Sequence, residues 1–162
     1  MNAPADPRLI LREDELDAGV ELLLLAEAAL WAAADQALAE SGLGLGRSHW
    51  RAAFLLRRRP GVGVQELAHL TSLSKQAASR ILVDLAGKGL VEKTAADPDG
   101  RRRSAALTPA GEAFEAAVTE RLRNLLSRAY RAGGLDAVVG ARRMLAALAG
   151  GRTRSRGGGG FA

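Results

Sequence analysis

Apolar residues in this chain recur mostly at three- and four-residue steps, the spacing that gathers them on one side of a helix. The longest such stripe runs through residues 13–41: Leu16, Val20, Leu23, Leu24, Leu30, Trp31, Ala34 and Leu38. Asp14, Glu15 and Asp17 crowd its start, where negative charge suits the helix dipole, and Ser41-Gly42 ends it. A second helix is predicted over 47–59, with Trp50, Ala53, Phe54 and Leu55 inside and Arg47, Arg51, Arg57 and Arg58 outside. Pro60-Gly61 stops it. A short third helix over 63–70 offers Val64, Leu67, Ala68 and Leu70 for burial. Thr71-Ser72-Leu73 then turns the chain into a fourth helix within Ser74–Leu90, where Ala78, Ile81, Leu82 and Leu85 share the apolar side. Two short helices joined by about three residues make a helix-turn-helix, with Leu73 as the plug between them.

After Gly89 the period changes. Leu90-Val91-Glu92-Lys93-Thr94 alternates as a strand does, and Asp97-Pro98-Asp99-Gly100 fits a type I turn. Arg101 to Leu107 returns as a second strand, so a hairpin wing follows the fourth helix. Thr108-Pro109 opens another helix over 109–131, with Thr as N-cap and Pro at the first helical position. Its seam is Phe114, Val118, Leu122, Leu125 and Ala129. Gly133-Gly134 breaks it, and a last helix is expected over 135–149 with Leu135, Val138, Val139, Leu145 and Leu148. Residues 1–12 are expected to form a flexible arm and residues 150–162 a disordered, basic, Gly-rich tail. The fold class is mostly α with a minor β element: a winged helix-turn-helix lobe over 47–108, flanked by an N-terminal helical segment, 13–46, and C-terminal helices, 109–149. The flanking helices carry more apolar surface than the lobe can cover, which points to a homodimer through both ends of the chain.

Charge sharpens this picture. Residues 1–46 hold two Lys/Arg against nine Asp/Glu, whereas residues 47–103 hold twelve against five. The positive charge therefore sits on the helix-turn-helix, as a polyanion-binding module requires. On the fourth helix Lys75, Gln76, Ser79 and Arg80 project from the side opposite the apolar one, and Ser74 is its N-cap. Such a helix fits the DNA major groove with its first turns against base edges and phosphates. Arg101, Arg102 and Arg103 at the wing tip suit the minor groove and flanking phosphates. A two-fold dimer would present two such helices about 34 Å apart, to a pseudo-palindrome.

Other chemistries are poorly supplied. The chain has no Cys, so it has no thiolate metal site and no cysteine redox sensor. Its two histidines, His49 and His69, with Glu66 near the latter, fall short of the three or four ligands zinc usually takes, so no metal or other cofactor is expected. No phosphate loop or nucleophile–base pair suggests an enzyme. The most apolar run, Leu22 to Ala34, contains Glu27 and is shorter than the roughly 20 residues of a membrane span, so no membrane association is expected. No targeting segment is apparent, which fits a cytoplasmic protein, nucleoid-associated when DNA-bound.

The order of these motifs resembles the MarR family of bacterial winged-helix transcription regulators over about residues 13–149. The matching pieces are Val64-x-x-Leu67-Ala68, then Leu73-Ser74-x-x-x-x-Ser79-Arg80-x-Leu82-x-Asp84-Leu85 with Gly89-Leu90-Val91. They continue as Asp97-Pro98-x-Gly100-Arg101-Arg102 and close with Leu107-Thr108-x-x-Gly111. The resemblance implies a homodimer held by the terminal helices, Arg80 and Ser79 facing DNA, and a wing pair in which Arg101 enters the minor groove and Asp99 orients it. Asp84, four residues after Arg80, is expected to hold that guanidinium. Ala86 and Gly87 depart from the family pattern and suggest a frayed helix end. The resemblance also implies a small aromatic effector, for which Trp31, Trp50 and His49 are candidate lining residues. Two other readings stand beside this one: a non-specific nucleoid-type DNA binder, suggested by the arginine-bearing tail, and a winged-helix protein-interaction module.

Overall fold

A computed structural model of the chain describes residues 11–94 and 104–153. Its elements follow the order α1 (Glu13–Glu40), α2 (Arg47–Arg58), α3 (Val64–Thr71), α4 (Lys75–Gly87), β1 (Val91–Thr94), β2 (Ser104–Leu107) and α5 (Pro109–Thr153). The two strands pair antiparallel, from Val91 opposite Leu107 to Thr94 opposite Ser104. The expected turn at 97–100 and the wing residues Asp99, Arg101, Arg102 and Arg103 lie outside the described residues, as do 1–10 and 154–162.

The two C-terminal helices expected from sequence are present and meet end to end at a kink, so α5 comprises both. Gly134 adopts φ 74° and ψ −179°, a conformation open to glycine, and the chain resumes helical geometry on either side of it. The second stretch runs through Gly150 and Gly151 to Thr153, past the expected end at 149 and into the segment expected to be disordered. α4 holds helical geometry to Gly87, and its end is closed by the Lys88 N–H on the carbonyls of Asp84 and Leu85 and the Gly89 N–H on that of Ala86, so the expected fraying is not seen. Gly89 (φ 70°) then reverses the chain into β1.

The core lies under the helix-turn-helix. It joins Ala34, Ala37 and Leu38 of α1 to Trp50, Ala52, Ala53 and Leu56 of α2, with Leu45 and Val62 from the loops. Leu67 of α3, Ile81 and Leu85 of α4, Leu90 and Val91 close it on one side, and Phe114 and Val118 from α5 on another. Of the stripe expected on α1, only Ala34 and Leu38 are buried. Leu16, Val20, Leu23, Leu24 and Leu30 are exposed. Leu135, Val139, Met144, Leu145 and Leu148 on the second stretch of α5 are likewise exposed.

Two devices seat α5 on the lobe. The first is a backbone crossing. Thr108 Oγ1 donates to the Gly89 carbonyl (2.6 Å) and accepts the Gly111 N–H (3.1 Å), while the Thr108 N–H donates to the Leu90 carbonyl (3.0 Å). Gly111 passes so close to Leu90 that a Cβ there would sit 1.9 Å from its carbonyl oxygen. The second is a buried polar chain. Trp50 Nε1 donates to Thr119 Oγ1 (3.1 Å), the Thr119 hydroxyl donates to Glu115 Oε1, and Arg57 Nη1 donates to Glu115 Oε2 (2.8 Å). Glu115 is only 2% exposed, so its carboxylate relies on these donors in place of water.

Gly111→Ala is expected to cost about 3 kcal/mol, the upper end for overpacking, because the obstacle is backbone and cannot rotate away. Urea unfolding measures it, and a loss within about 0.5 kcal/mol, the range of a surface substitution, would contradict the crossing. Arg57→Ala should cost about 3 kcal/mol by stranding the buried Glu115 carboxylate. Arg121→Ala, which removes only the exposed pair with Glu40, should stay within about 1 kcal/mol. Equal losses for the two arginine variants would contradict the distinction.

Candidate nucleic-acid interface

The candidate surface is built from the turn outward. α3 ends because the Leu73 N–H reaches back to the Ala68 carbonyl (2.9 Å) and Ser72 turns left-handed at φ 59°, ψ 34°. Thr71, buried beneath the turn, donates its hydroxyl to the Leu67 carbonyl (2.7 Å). Leu73 packs half-buried against the core, in the plug position expected. Ser74 then starts α4, its Oγ accepting the Ala77 N–H at 3.1 Å.

α4 has the two faces its spacing predicted. Ala78, Ile81 and Leu85 are buried and Leu82 is half-buried. Ser74, Lys75, Gln76, Ser79 and Arg80 are all exposed. The side chains of Lys75, Gln76, Ser79 and Arg80 make no hydrogen bond or ion pair with any other described residue. Two cations and two uncharged hydrogen-bonding groups therefore line the first turns of an exposed helix, the composition that contacts phosphates and base edges. Arg58, whose guanidinium lies 5.6 Å over the Phe54 ring, is also exposed and adds a cation at the end of α2.

Asp84 departs from expectation. Its carboxylate does not pair with Arg80. Oδ2 lies 3.3 Å from His49 Nε2, on α2. The other imidazole nitrogen, Nδ1, accepts the Gly46 N–H at 3.1 Å, at the start of the same helix. A nitrogen that accepts an N–H carries no proton of its own, so the ring proton sits on Nε2 and is donated to Asp84. The partner was not visible from the helix pattern, because His49 and Asp84 are 35 residues apart.

Trp31 and Trp50, two of the candidate effector-lining residues, pack against the lobe. Trp50 is buried, meets Trp31 edge-on with ring centroids 6.3 Å apart and lies 5.6 Å from Phe54. Trp31 donates Nε1 to Glu27 (3.2 Å) and carries the Arg47 guanidinium 4.9 Å over its ring. Arg47 in turn donates Nε and Nη2 to Asp35 (2.7 and 2.5 Å), tying α2 to α1 and holding the Asp35 carboxyl below its ordinary range. None of the three candidates lines the hollow of about 500 Å³ that opens at the Gly134 bend among Arg123, Ser127, Tyr130, Arg131 and Leu135. Among the described residues no three of His, Asp and Glu gather in metal-binding geometry, and no helix is long and apolar enough to cross a membrane.

Comparison with known proteins agrees with this geometry. Residues 43–102, which hold the helix-turn-helix and β1, match the model of the MarR family. The chain is 34% identical over 140 residues to the HTH-type transcriptional regulator PetP of Rhodobacter capsulatus, covering 86% of this chain and 83% of that protein. Among solved structures, RV1404 from Mycobacterium tuberculosis superposes with a TM-score of 0.66 at 26% identity, covering 90% of this chain and all of that one. CouR from Rhodococcus jostii RHA1, solved bound to p-coumaroyl-CoA, superposes with a TM-score of 0.66 at 24% identity, covering 83% of this chain and 91% of that one. The chain belongs to the MarR family of winged-helix transcriptional regulators.

Proposed function

We propose that the chain acts as a homodimer on pseudo-palindromic double-stranded DNA, reading each half-site with α4. The observation that carries this is the first half of α4, where Lys75, Gln76, Ser79 and Arg80 stand exposed, without a partner among the described residues, on a helix anchored by its apolar face. Arg80 and Lys75 meet phosphate or guanine, and Gln76 and Ser79 meet base edges. Ser74 caps the helix and presents the backbone start of α4 to a phosphate. The wing contributes Arg101 to the minor groove with Asp99 as its orienting partner, and Arg102 and Arg103 to the flanking backbone.

Dimerisation is supported by the uncovered leucines of α1 and the apolar residues exposed after the Gly134 bend. These patches sit at the two ends of the chain, away from α4, so covering them leaves the reading surface open. Modulation by a small aromatic effector is supported by the p-coumaroyl-CoA carried by the similar protein CouR.

Selection of bound duplexes from a genomic library at two salt concentrations tests the reading. Recovery of a pseudo-palindrome with half-sites about one helical turn apart is the expected result. Binding without a motif, lost as salt rises, would replace it with non-specific nucleoid-type binding, and no binding at all would favour a protein-interaction module.

Arg101→Ala should weaken binding to the selected duplex by about tenfold and leave the sedimentation of the free protein unchanged. Unchanged affinity at physiological salt would remove the wing assignment.

A further inference from the structure

We propose that His49 is a positioning residue for DNA binding, holding the Asp84 carboxylate away from Arg80. The inference rests on the reading of Arg80 as a DNA contact. Arg80 and Asp84 are four residues apart on α4, a separation at which side chains of opposite charge meet on the helix surface. They do not meet here. Asp84 Oδ2 is engaged at 3.3 Å by His49 Nε2, while Arg80 makes no ion pair with any described residue. The imidazole is set for this by the Gly46 N–H on Nδ1 (3.1 Å), which fixes the tautomer and leaves the Nε2 proton facing Asp84.

The arrangement has a consequence for DNA. A carboxylate free beside Arg80 competes with phosphate for the guanidinium and repels the duplex. His49 satisfies that carboxylate with a hydrogen bond from α2 and keeps Arg80 available. His49 itself sits on α2, not on the exposed face of α4, and is only about one-fifth exposed (20%). It acts on the duplex through Asp84 and Arg80 without touching it.

A mutant cycle on the full-length protein tests this, read by affinity for a labelled random-sequence duplex across a salt series. Such a duplex reports phosphate contacts whatever the operator. His49→Ala should weaken binding about twofold to fivefold, the scale of one exposed ion pair. It should also make the dependence of log affinity on log salt shallower by about 0.9 per protomer bound, one phosphate contact each. Adding Asp84→Asn to His49→Ala should restore both quantities, because no carboxylate remains to capture Arg80. His49→Gln, whose amide offers both an acceptor for Gly46 and a donor for Asp84, should behave as the parent.

A double variant that stays weak with a shallow slope would overturn the proposal, since His49 would then matter only for packing. So would an unaltered slope in His49→Ala. Asp84→Asn alone leaves the α2 start intact and keeps an acceptor for His49. It should bind at least as tightly as the parent, and weaker binding would equally overturn the proposal. Arg80→Ala separates the two levels: parental affinity there would refute Arg80 as a DNA contact, whereas weakened binding leaves that reading standing and the His49 cycle decides the rest.

Discussion

The meeting of Leu90 and Gly111 is the constraint on which the rest of the molecule depends. Two backbones cross there with no space for a methyl group, and Thr108 stitches both sides of the crossing with three hydrogen bonds. Leu90 lies between the end of α4 and the start of β1, while Gly111 lies in the first turn of α5. The crossing therefore ties α4, the two strands and α5 to one point. A larger residue at 111 would push α5 off the lobe and open the core around Phe114 and Val118.

The buried chain from Trp50 through Thr119 to Glu115 and Arg57 reinforces that seat from inside. It replaces solvent around a carboxylate that would otherwise be costly to bury, and it does so with donors from α2 and from α5 itself. A greasy contact could slide along the helix axis. Directional hydrogen bonds fix the rotation of α5 against α2, and so fix where the exposed apolar residues beyond the Gly134 bend point relative to α4. Where α2 meets α1, the Asp35–Arg47 pair and the guanidinium stacked on Trp31 do the corresponding work at the surface.

Much of this was legible in the chain, for physical reasons. The helix-turn-helix announces itself through the spacing of Ala78, Ile81 and Leu85, the cap at Ser74 and the plug at Leu73, all of which are local. Gly133-Gly134 likewise marks the break between two helices, which meet at a kink without an intervening loop. Other features depend on residues distant in sequence and left no local trace. Ala52 and Leu56 are buried because α1, α4 and α5 surround α2 more completely than a single stripe suggests. Glu115 reads as a surface charge until Arg57 and Thr119 are placed beside it. Asp84 seemed a partner for Arg80 because the two are helical neighbours, yet the competing donor comes from α2. The leucines of α1 illustrate the opposite limit: their pattern signals burial, yet among the described residues Leu16, Leu23, Leu24 and Leu30 are exposed.

The account's central claim is that the first turns of α4, and not its far end, face DNA. Lys75 and Lys88 bracket that helix and both are exposed, about 20 Å apart along its axis at 1.5 Å per residue. Acetylation footprinting of the free and duplex-bound protein compares them within one molecule. The account predicts that saturating duplex shields Lys75 and leaves Lys88 as reactive as before. Equal reactivity of Lys75 with and without DNA, or shielding of Lys88 alone, would contradict it.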